Sequence, residues 1–327
     1  MRQVLIETTG RPAAVTRLIE APAPAIIPGH VRLEMLFSPV NPADLNYIEG
    51  NYGKKPVLPA VPGIEGVGRI VEVAAGVTGL RPGQLAIPLG PMGCWSTEML
   101  LPAERVFALP EGLDPRQAAM LRVNPATAWG LLHATGSQPA DAWVAQNAAS
   151  SAAAHCVIQL AAHLGLKTVN FVRRPESTAA CLELGADVVL TDEADSLAAA
   201  RAVPGFAAPA LALNAVGGDS ALRLMDLLAP GGTLVTYGAM GRQPVKVPNG
   251  FLIFKDVRLQ GFWLTRWMES APASEVHAVY RQLADLMLAR KMRQPVAAEY
   301  PLEELSQALE HAAAAGRGGK VLLRLSP

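Results

Sequence analysis

The chain has 327 residues, 50% of them apolar, and its 28 basic side chains balance 28 acidic ones. A net charge of zero argues against a nucleic-acid protein held by bulk electrostatics, and no apolar run reaches the ~18 residues a membrane helix needs. Cys94, Cys156 and Cys181 are an odd number without metal-ligand spacing, which excludes a disulfide framework and predicts a reducing, cytoplasmic setting.

The opening residues, Met1 to Ile6, read as a strand and not as a signal peptide. Short β-type runs follow at Val31 to Phe37, Gly68 to Val73 and Gln84 to Pro88, each bounded by Pro, Gly or other turn residues, and predict a compact β domain. From about Val123 the texture becomes strand–helix alternation. Ala142 to Gln146 is a short apolar strand and Ala152 to Leu164 a helix with apolar residues at 153, 156, 157, 160, 161 and 164. His155, Gln159 and His163 fall opposite that stripe and read as a polar helix face, not as a row of ligands. Lys167 to Val172 is the next strand, with a helix through Leu184. Val188 to Leu190, Ala210 to Val216 and Gly232 to Tyr237 are further strands, and Asp219 opens the helix Ser220 to Leu228. Asp192-Glu193 and Glu303-Glu304 read as acidic pairs at helix starts, where they complement the dipole. Repeated βα units predict a doubly wound parallel sheet with ligands outside the strand C-termini. After Trp263 come a long helix, roughly Ser274 to Lys291, a strand near Ala297, a helix from Leu302 and a strand Val321 to Leu325. Periodicity leaves open whether this tail forms a third unit or returns to the first.

A dinucleotide site normally places glycines in the first βα turn. Here the turn reads Gln146-Asn147-Ala148-Ala149-Ser150-Ser151-Ala152-Ala153-Ala154, without glycine. A helix N-terminus still offers backbone N–H groups and a positive dipole end, with Ser150 and Ser151 as N-cap candidates, so nucleotide binding and a plain N-cap stay open. The following strand ends in Arg173-Arg174, where NAD-specific proteins carry an acidic residue, and two arginines suit the 2′-phosphate of NADPH. No His-Glu-x-x-His, Cys-x-x-Cys or Gly-x-Ser-x-Gly string occurs.

More specific strings accumulate at Asn41-Pro42-Ala43-Asp44, Gly50-Asn51-Tyr52-Gly53, Gly63-Ile64-Glu65-Gly66, Val123-Asn124-Pro125-Ala126-Thr127 and Asn214-Ala215-Val216-Gly217-Gly218. To these add Tyr237 to Met240, Ile253-Phe254-Lys255-Asp256 and Gly261-Phe262-Trp263-Leu264. Together they resemble the zinc-free branch of the medium-chain dehydrogenase/reductase superfamily, and within it the mitochondrial-type 2-enoyl thioester reductases. The resemblance implies an α/β fold with a discontinuous GroES-like β-rich catalytic domain, 1–122 and 265–327, and a Rossmann domain with a doubly wound parallel sheet, 123–264. It also implies that zinc is absent. Zinc-containing relatives have Cys where Asn41 stands and Gly-His-Glu where Gly63-Ile64-Glu65 stands.

By likeness, Tyr52 matches the catalytic tyrosine, and Asn41, Asn124 and Thr127 match cofactor contacts. Ser150, Ser151, Ala152 and Ala153 match the phosphate turn, and Arg173, Arg174 and Pro175 the 2′-phosphate site. Tyr237, Gly238, Ala239, Met240, Phe262, Trp263 and Leu264 match segments lining the cofactor, and Lys320 a basic contact near the C-terminus. Family members have Ser-Gly-Val-Gly where this chain has Ser151-Ala152-Ala153-Ala154.

The expected activity is NADPH-dependent reduction of the C=C bond of an enoyl-CoA or enoyl-carrier-protein thioester, as part of fatty acid metabolism. Hydride would reach Cβ while a phenol, protonated at neutral pH, donates to the carbonyl oxygen as charge grows there. The alternative is an NADPH:quinone or small-enone reductase. A third reading, a non-enzymatic paralogue that has lost its cofactor, rests on the glycine-free turn alone. Lys54, Lys55, Arg290, Lys291 and Arg293 are candidates for attracting a CoA or acyl-carrier phosphate, although solubility explains them as well. Likeness further implies a homodimer, while the charge balance and the lack of a long apolar run predict neither nucleic acid nor membrane as a partner.

Overall fold

In the computed structural model, which describes residues 1–326, the chain divides into two compact units. One comprises Met1–Val123 and the chain from His277 onward; the other is Asn124–Val276. The second crossing therefore falls at 276/277, twelve residues beyond the expected 264/265. The cause is an unforeseen helix, Leu264–Ser270, whose Trp267 ring packs 5.5 Å from that of Trp129 within the second unit.

The first unit is built on a seven-stranded sheet. Its path runs Val296–Pro301, Lys320–Arg324, His30–Pro39, Val67–Val73, Leu85–Pro88 and Val106–Ala108, with Glu98–Pro102 also pairing with His30–Pro39. Strand His30–Pro39 alternates buried and half-buried residues, as expected where one face packs on a core. Val31, Leu33 and Met35 supply that inward face. The tail returns to this unit, since Lys320–Arg324 pairs antiparallel with His30–Pro39 in the register Leu322 to Pro39, Leu323 to Ser38 and Arg324 to Phe37. A separate hairpin pairs Arg2–Ile6 with Thr16–Glu20. Glu303 and Glu304 sit in a 3-10 turn, Leu302–Glu304, just ahead of helix Leu305–Ala313. The long helix spans Ala273–Leu288, and Arg290 turns left-handed (φ +56°) where helical sequence was expected to continue.

The second unit carries a six-stranded, all-parallel sheet. Its spatial order is Val188–Thr191, Lys167–Val172, Trp143–Gln146, Leu211–Asn214, Thr233–Thr236 and Arg258–Gly261. This is the 3-2-1-4-5-6 order of dinucleotide folds, whose ligand crevice lies where the order reverses. Trp143–Gln146 and Leu211–Asn214, at that reversal, are buried at every position, which explains their unbroken apolar character before the terminal amides. Helix Ala152–His163 follows the first of these strands and Gly218–Leu227 the second. The edge strand Arg258–Gly261 is exposed at every residue and shows no apolar alternation.

Candidate active site

In the first unit, helix Pro42–Ile48 presents Tyr52. Proline suits the first helical position, where no N–H is needed, and the Asp44 carboxylate reaches back to accept from the Asn41 backbone N–H at 2.8 Å. The other end closes as a Schellman motif. Gly50 N–H donates to the Tyr47 carbonyl at 3.0 Å and Asn51 N–H to that of Asn46 at 2.8 Å, with Gly50 at φ +77°. Tyr52 follows two residues later. Its ring is half-buried against the core of this unit.

Beneath that helix lies a buried polar cluster. Asp44 and Glu65 are 0% exposed, Asn41 and Lys320 2% and Arg122 8%. The Lys320 ammonium donates to Asn41 Oδ1, and Asn41 Nδ2 donates to Glu65 Oε1 at 2.9 Å. Glu65 Oε2 accepts from Val123 N–H at 2.8 Å, and Asp44 Oδ1 from Ile64 N–H at 2.8 Å. Arg122 donates to the carbonyls of Ile64 and Gly90. Burial pushes the Asp44 carboxyl up to about 7, even though two backbone N–H groups favour its anion. Burial also raises Glu65, against the pull of Lys320, and lifts the Cys94 thiol to about 12. Zinc-containing relatives hold their metal here, yet Asn41 offers an amide and Ile64 an alkyl chain, so the donor set does not fit zinc. Among the described residues no group of three or more His, Cys, Asp or Glu is placed to hold a metal.

In the second unit, the turn before helix Ala152–His163 forms without glycine. Ala148 takes the left-handed conformation (φ +49°) that glycine would usually supply. Asn147 holds it there. Its Nδ2 donates to Asn214 Oδ1 at 2.9 Å and to Ser220 Oγ at 2.8 Å, and its Oδ1 accepts from Ala215 N–H at 2.7 Å. Ala149 N–H donates to the Phe171 carbonyl at 3.0 Å and Ser151 N–H to that of Ala148 at 2.8 Å. Ser151 is the N-cap, accepting from Ala154 N–H at 3.3 Å, while Ser150 is exposed. The first N–H groups of the helix, at Ala152 and Ala153, have no carbonyl within the helix to bind, and both residues are partly exposed. Arg173, Arg174 and Pro175 are exposed at the end of the adjacent strand. Free backbone N–H groups at a helix start could hold a phosphate group of a nicotinamide dinucleotide.

Tyr237 to Met240 lie along the end of Leu211–Asn214. Tyr237 N–H donates to Asn214 at 3.0 Å and Met240 N–H to Ala215 at 2.8 Å, and a Cβ on Gly238 would stand 3.1 Å from the Ala215 carbonyl oxygen. The Tyr237 hydroxyl is buried beside Ser151 without a well-formed hydrogen bond, and burial pushes it up to about 12. Ala239 and Met240 are exposed. Asn124, buried, and Thr127, half-buried, stand in the first turns of helix Asn124–Leu132. The Gly261-Phe262-Trp263-Leu264 string spans the end of strand Arg258–Gly261 and the start of helix Leu264–Ser270. Trp263 caps helix Leu264–Ser270, and the Phe262 ring lies against Gly130, where a Cβ would come within 2.2 Å of it.

Two sequence expectations need correcting. His155 and Gln159 are buried, 9% and 7% exposed, so they do not form a solvated face; burial lowers the His155 pKa and its Nε2 has no partner. Asp192 is not a helix-start carboxylate, since the next helix begins at Ser196. Instead Asp192 accepts from Ser220 Oγ at 2.5 Å and Arg223 Nε at 2.7 Å, extending the Asn147 network. Asn41 and Lys320, expected at the cofactor, are bonded to each other inside the first unit. Sequence reasoning missed Asp44, Glu65 and Arg122 there, and Asn214, Ser220, Asp192 and Arg223 in the second unit. Polar residues closing apolar strands, as Gln146-Asn147 and Asn214 do, were the available signal.

A β-rich unit and a second unit with a 3-2-1-4-5-6 parallel sheet are the architecture of a medium-chain dehydrogenase/reductase. The chain matches the zinc-binding dehydrogenase family over residues 153–285 and the alcohol dehydrogenase GroES-like domain over residues 27–111. It is 40% identical, over 317 residues, to the mitochondrial enoyl-[acyl-carrier-protein] reductase of Rattus norvegicus, covering 95% of this chain and 85% of that one. Etr1p of Candida tropicalis, solved with NADP and crotonyl-CoA, superposes with a TM-score of 0.87 at 27% identity over 99% of each chain. A Bacillus thuringiensis protein provisionally described as an NADPH:quinone reductase gives a TM-score of 0.92 at 26% identity, over 99% of this chain and 98% of that one. The chain belongs to the medium-chain dehydrogenase/reductase superfamily, in the family of the mitochondrial enoyl-acyl-carrier-protein reductases. It is an oxidoreductase with a nicotinamide cofactor.

Proposed function

We propose that the protein reduces the C=C bond of 2-enoyl thioesters with NADPH, as a cytoplasmic homodimer acting on CoA or acyl-carrier-protein substrates. The observation that carries this reading is Tyr52, set just beyond a helix capped at both ends, in a chain similar over nearly its whole length to enoyl reductases. Ser150 to Ala153 would hold the pyrophosphate through backbone N–H groups and the helix dipole, and Arg173 and Arg174 the 2′-phosphate. The bound nicotinamide supplies the hydride. The Tyr52 phenol donates a hydrogen bond to the thioester carbonyl oxygen, which gains negative charge as hydride reaches Cβ, and a proton from solvent then completes Cα; one such donor is worth roughly 10²–10³ in rate. The resemblance of the whole fold to the Bacillus thuringiensis protein favours a second reading, reduction of quinones or small enones.

The deciding experiment compares kcat/KM for crotonyl-CoA and 9,10-phenanthrenequinone with NADPH. Preference for crotonyl-CoA is expected. Turnover of the quinone alone, with NADPH bound, would transfer the assignment to the second reading.

A further inference from the structure

Asn147 opens the phosphate turn of the second unit, and every polar atom of its side chain is engaged. Its Nδ2 donates to Asn214 Oδ1 and Ser220 Oγ, and its Oδ1 accepts from Ala215 N–H. The Ser220 hydroxyl has one proton, and that proton goes to the Asp192 carboxylate at 2.5 Å. Arg223, one turn further along the same helix, donates through Nε to the other Asp192 oxygen at 2.7 Å and through Nη2 to the Asp192 carbonyl at 3.0 Å. Asn147 and Asn214 are wholly buried, Ser220 is 6% exposed and the Asp192 side chain 15%. Donors therefore converge on Asp192 from two sides, Arg223 on one and Asn147 through Ser220 on the other. The row lies at the carboxyl ends of three parallel strands, Trp143–Gln146, Val188–Thr191 and Leu211–Asn214, where this fold keeps its ligand crevice.

We propose that Arg223, Asp192 and Ser220 are positioning residues for the glycine-free phosphate turn, a relay that orients the Asn147 amide and through it holds Ala148 in the left-handed conformation. The proposal rests on the reading that Ser150 to Ala153 hold the cofactor's pyrophosphate. A carboxylate only accepts hydrogen bonds, so Asp192 commits the Ser220 proton and leaves a serine lone pair for Asn147. Arg223 pins the carboxylate in place with a charge-assisted bond. Facing that lone pair, the Asn147 amide has one satisfied orientation. Turned over, it would set its oxygen against Asn214 Oδ1 and its nitrogen against Ala215 N–H, and buried polar groups without partners are costly. Ala148 is the next residue, at φ +49°, where a side chain is strained and glycine is not. A turn carrying glycine there needs no such hold. In this chain, residues of two other βα units supply it.

Asp192→Asn keeps the shape of the side chain and gives up the carboxylate. In fluorescence titrations it is expected to raise the Kd for NADPH and for NADH by the same factor, about 10-fold, because the pyrophosphate is common to both. In an Ala148→Gly background the same substitution is expected to raise Kd less than about threefold relative to Ala148→Gly alone, since glycine takes the left-handed conformation unaided. An equal rise in both backgrounds would mean a general structural role and overturn the proposal. So would an unchanged Kd in Asp192→Asn, or a rise for NADPH alone, which would place the residue's effect at the 2′-phosphate. If Asp192→Asn does not fold, Ser220→Ala breaks the relay and leaves the Asp192–Arg223 pair intact, and the same outcomes apply to it. The wild-type protein is titrated first. Failure to bind either nucleotide would refute the cofactor reading and the proposal with it, whereas tight wild-type binding that no relay variant weakens refutes the proposal alone.

Discussion

Asp44 shows what a single buried residue does to this fold. Its carboxyl closes the start of the Tyr52 helix and ties it to Ile64, yet burial moves it from the ordinary 3.8 up to about 7. A carboxyl with a raised folded-state value binds its proton more tightly when folded. Its contribution to stability is therefore complete below about pH 4 and is lost as pH rises through about 7. The Tm of Asp44→Asn minus that of the wild type should grow over this interval and level off above it. A difference that shrinks with rising pH would contradict the assignment. The sequence shows Asp44 only as the third residue of an N-terminal cap. That its other oxygen reaches Ile64, twenty residues away, depends on the folding of the 60–66 loop.

At the scale of elements, the phosphate turn departs most from its family pattern. Ala148 in the left-handed region costs about 1–2 kcal/mol relative to glycine's freedom there, partly offset by glycine's greater loss of entropy on folding. Ala148→Gly should therefore stabilise the protein by about 0.5–1 kcal/mol in denaturant unfolding without loss of NADPH affinity. A drop in stability would mean that the Asn147 network imposes no strain on the turn. At the end of the neighbouring strand, Arg173→Ala with Arg174→Ala should raise the KM for NADPH by roughly 10- to 100-fold and leave NADH turnover little changed. Equal losses with both cofactors would remove the 2′-phosphate assignment. The strand–helix alternation around these residues was legible because burial on both faces leaves unbroken apolar runs. The edge strand Arg258–Gly261 was not, since every residue in it is exposed and no period remains to detect. The Ser151 cap was visible too, whereas the left-handed Ala148 was not, because alanine ordinarily avoids that conformation and only the long-range bonds of Asn147 impose it.

For the molecule as a whole, only the textures of the two units could be read in advance. Pro- and Gly-punctuated short strands marked the first and βα repeats the second. The return of the tail to the first unit came from family resemblance, since periodicity could not place Lys320–Arg324 beside His30–Pro39, almost three hundred residues earlier. That same non-local pairing carries Lys320 to Asn41, so a hydrogen bond between two buried side chains 279 residues apart could not be read from either neighbourhood alone. The proposed activity depends on one phenol acting on a conjugated thioester. The most direct test is Tyr52→Phe, with single-turnover reduction of crotonyl-CoA and the NADPH Kd measured on the same protein. A rate lower by about 10²–10³ with Kd within about twofold is predicted. Wild-type reduction by this variant would contradict it.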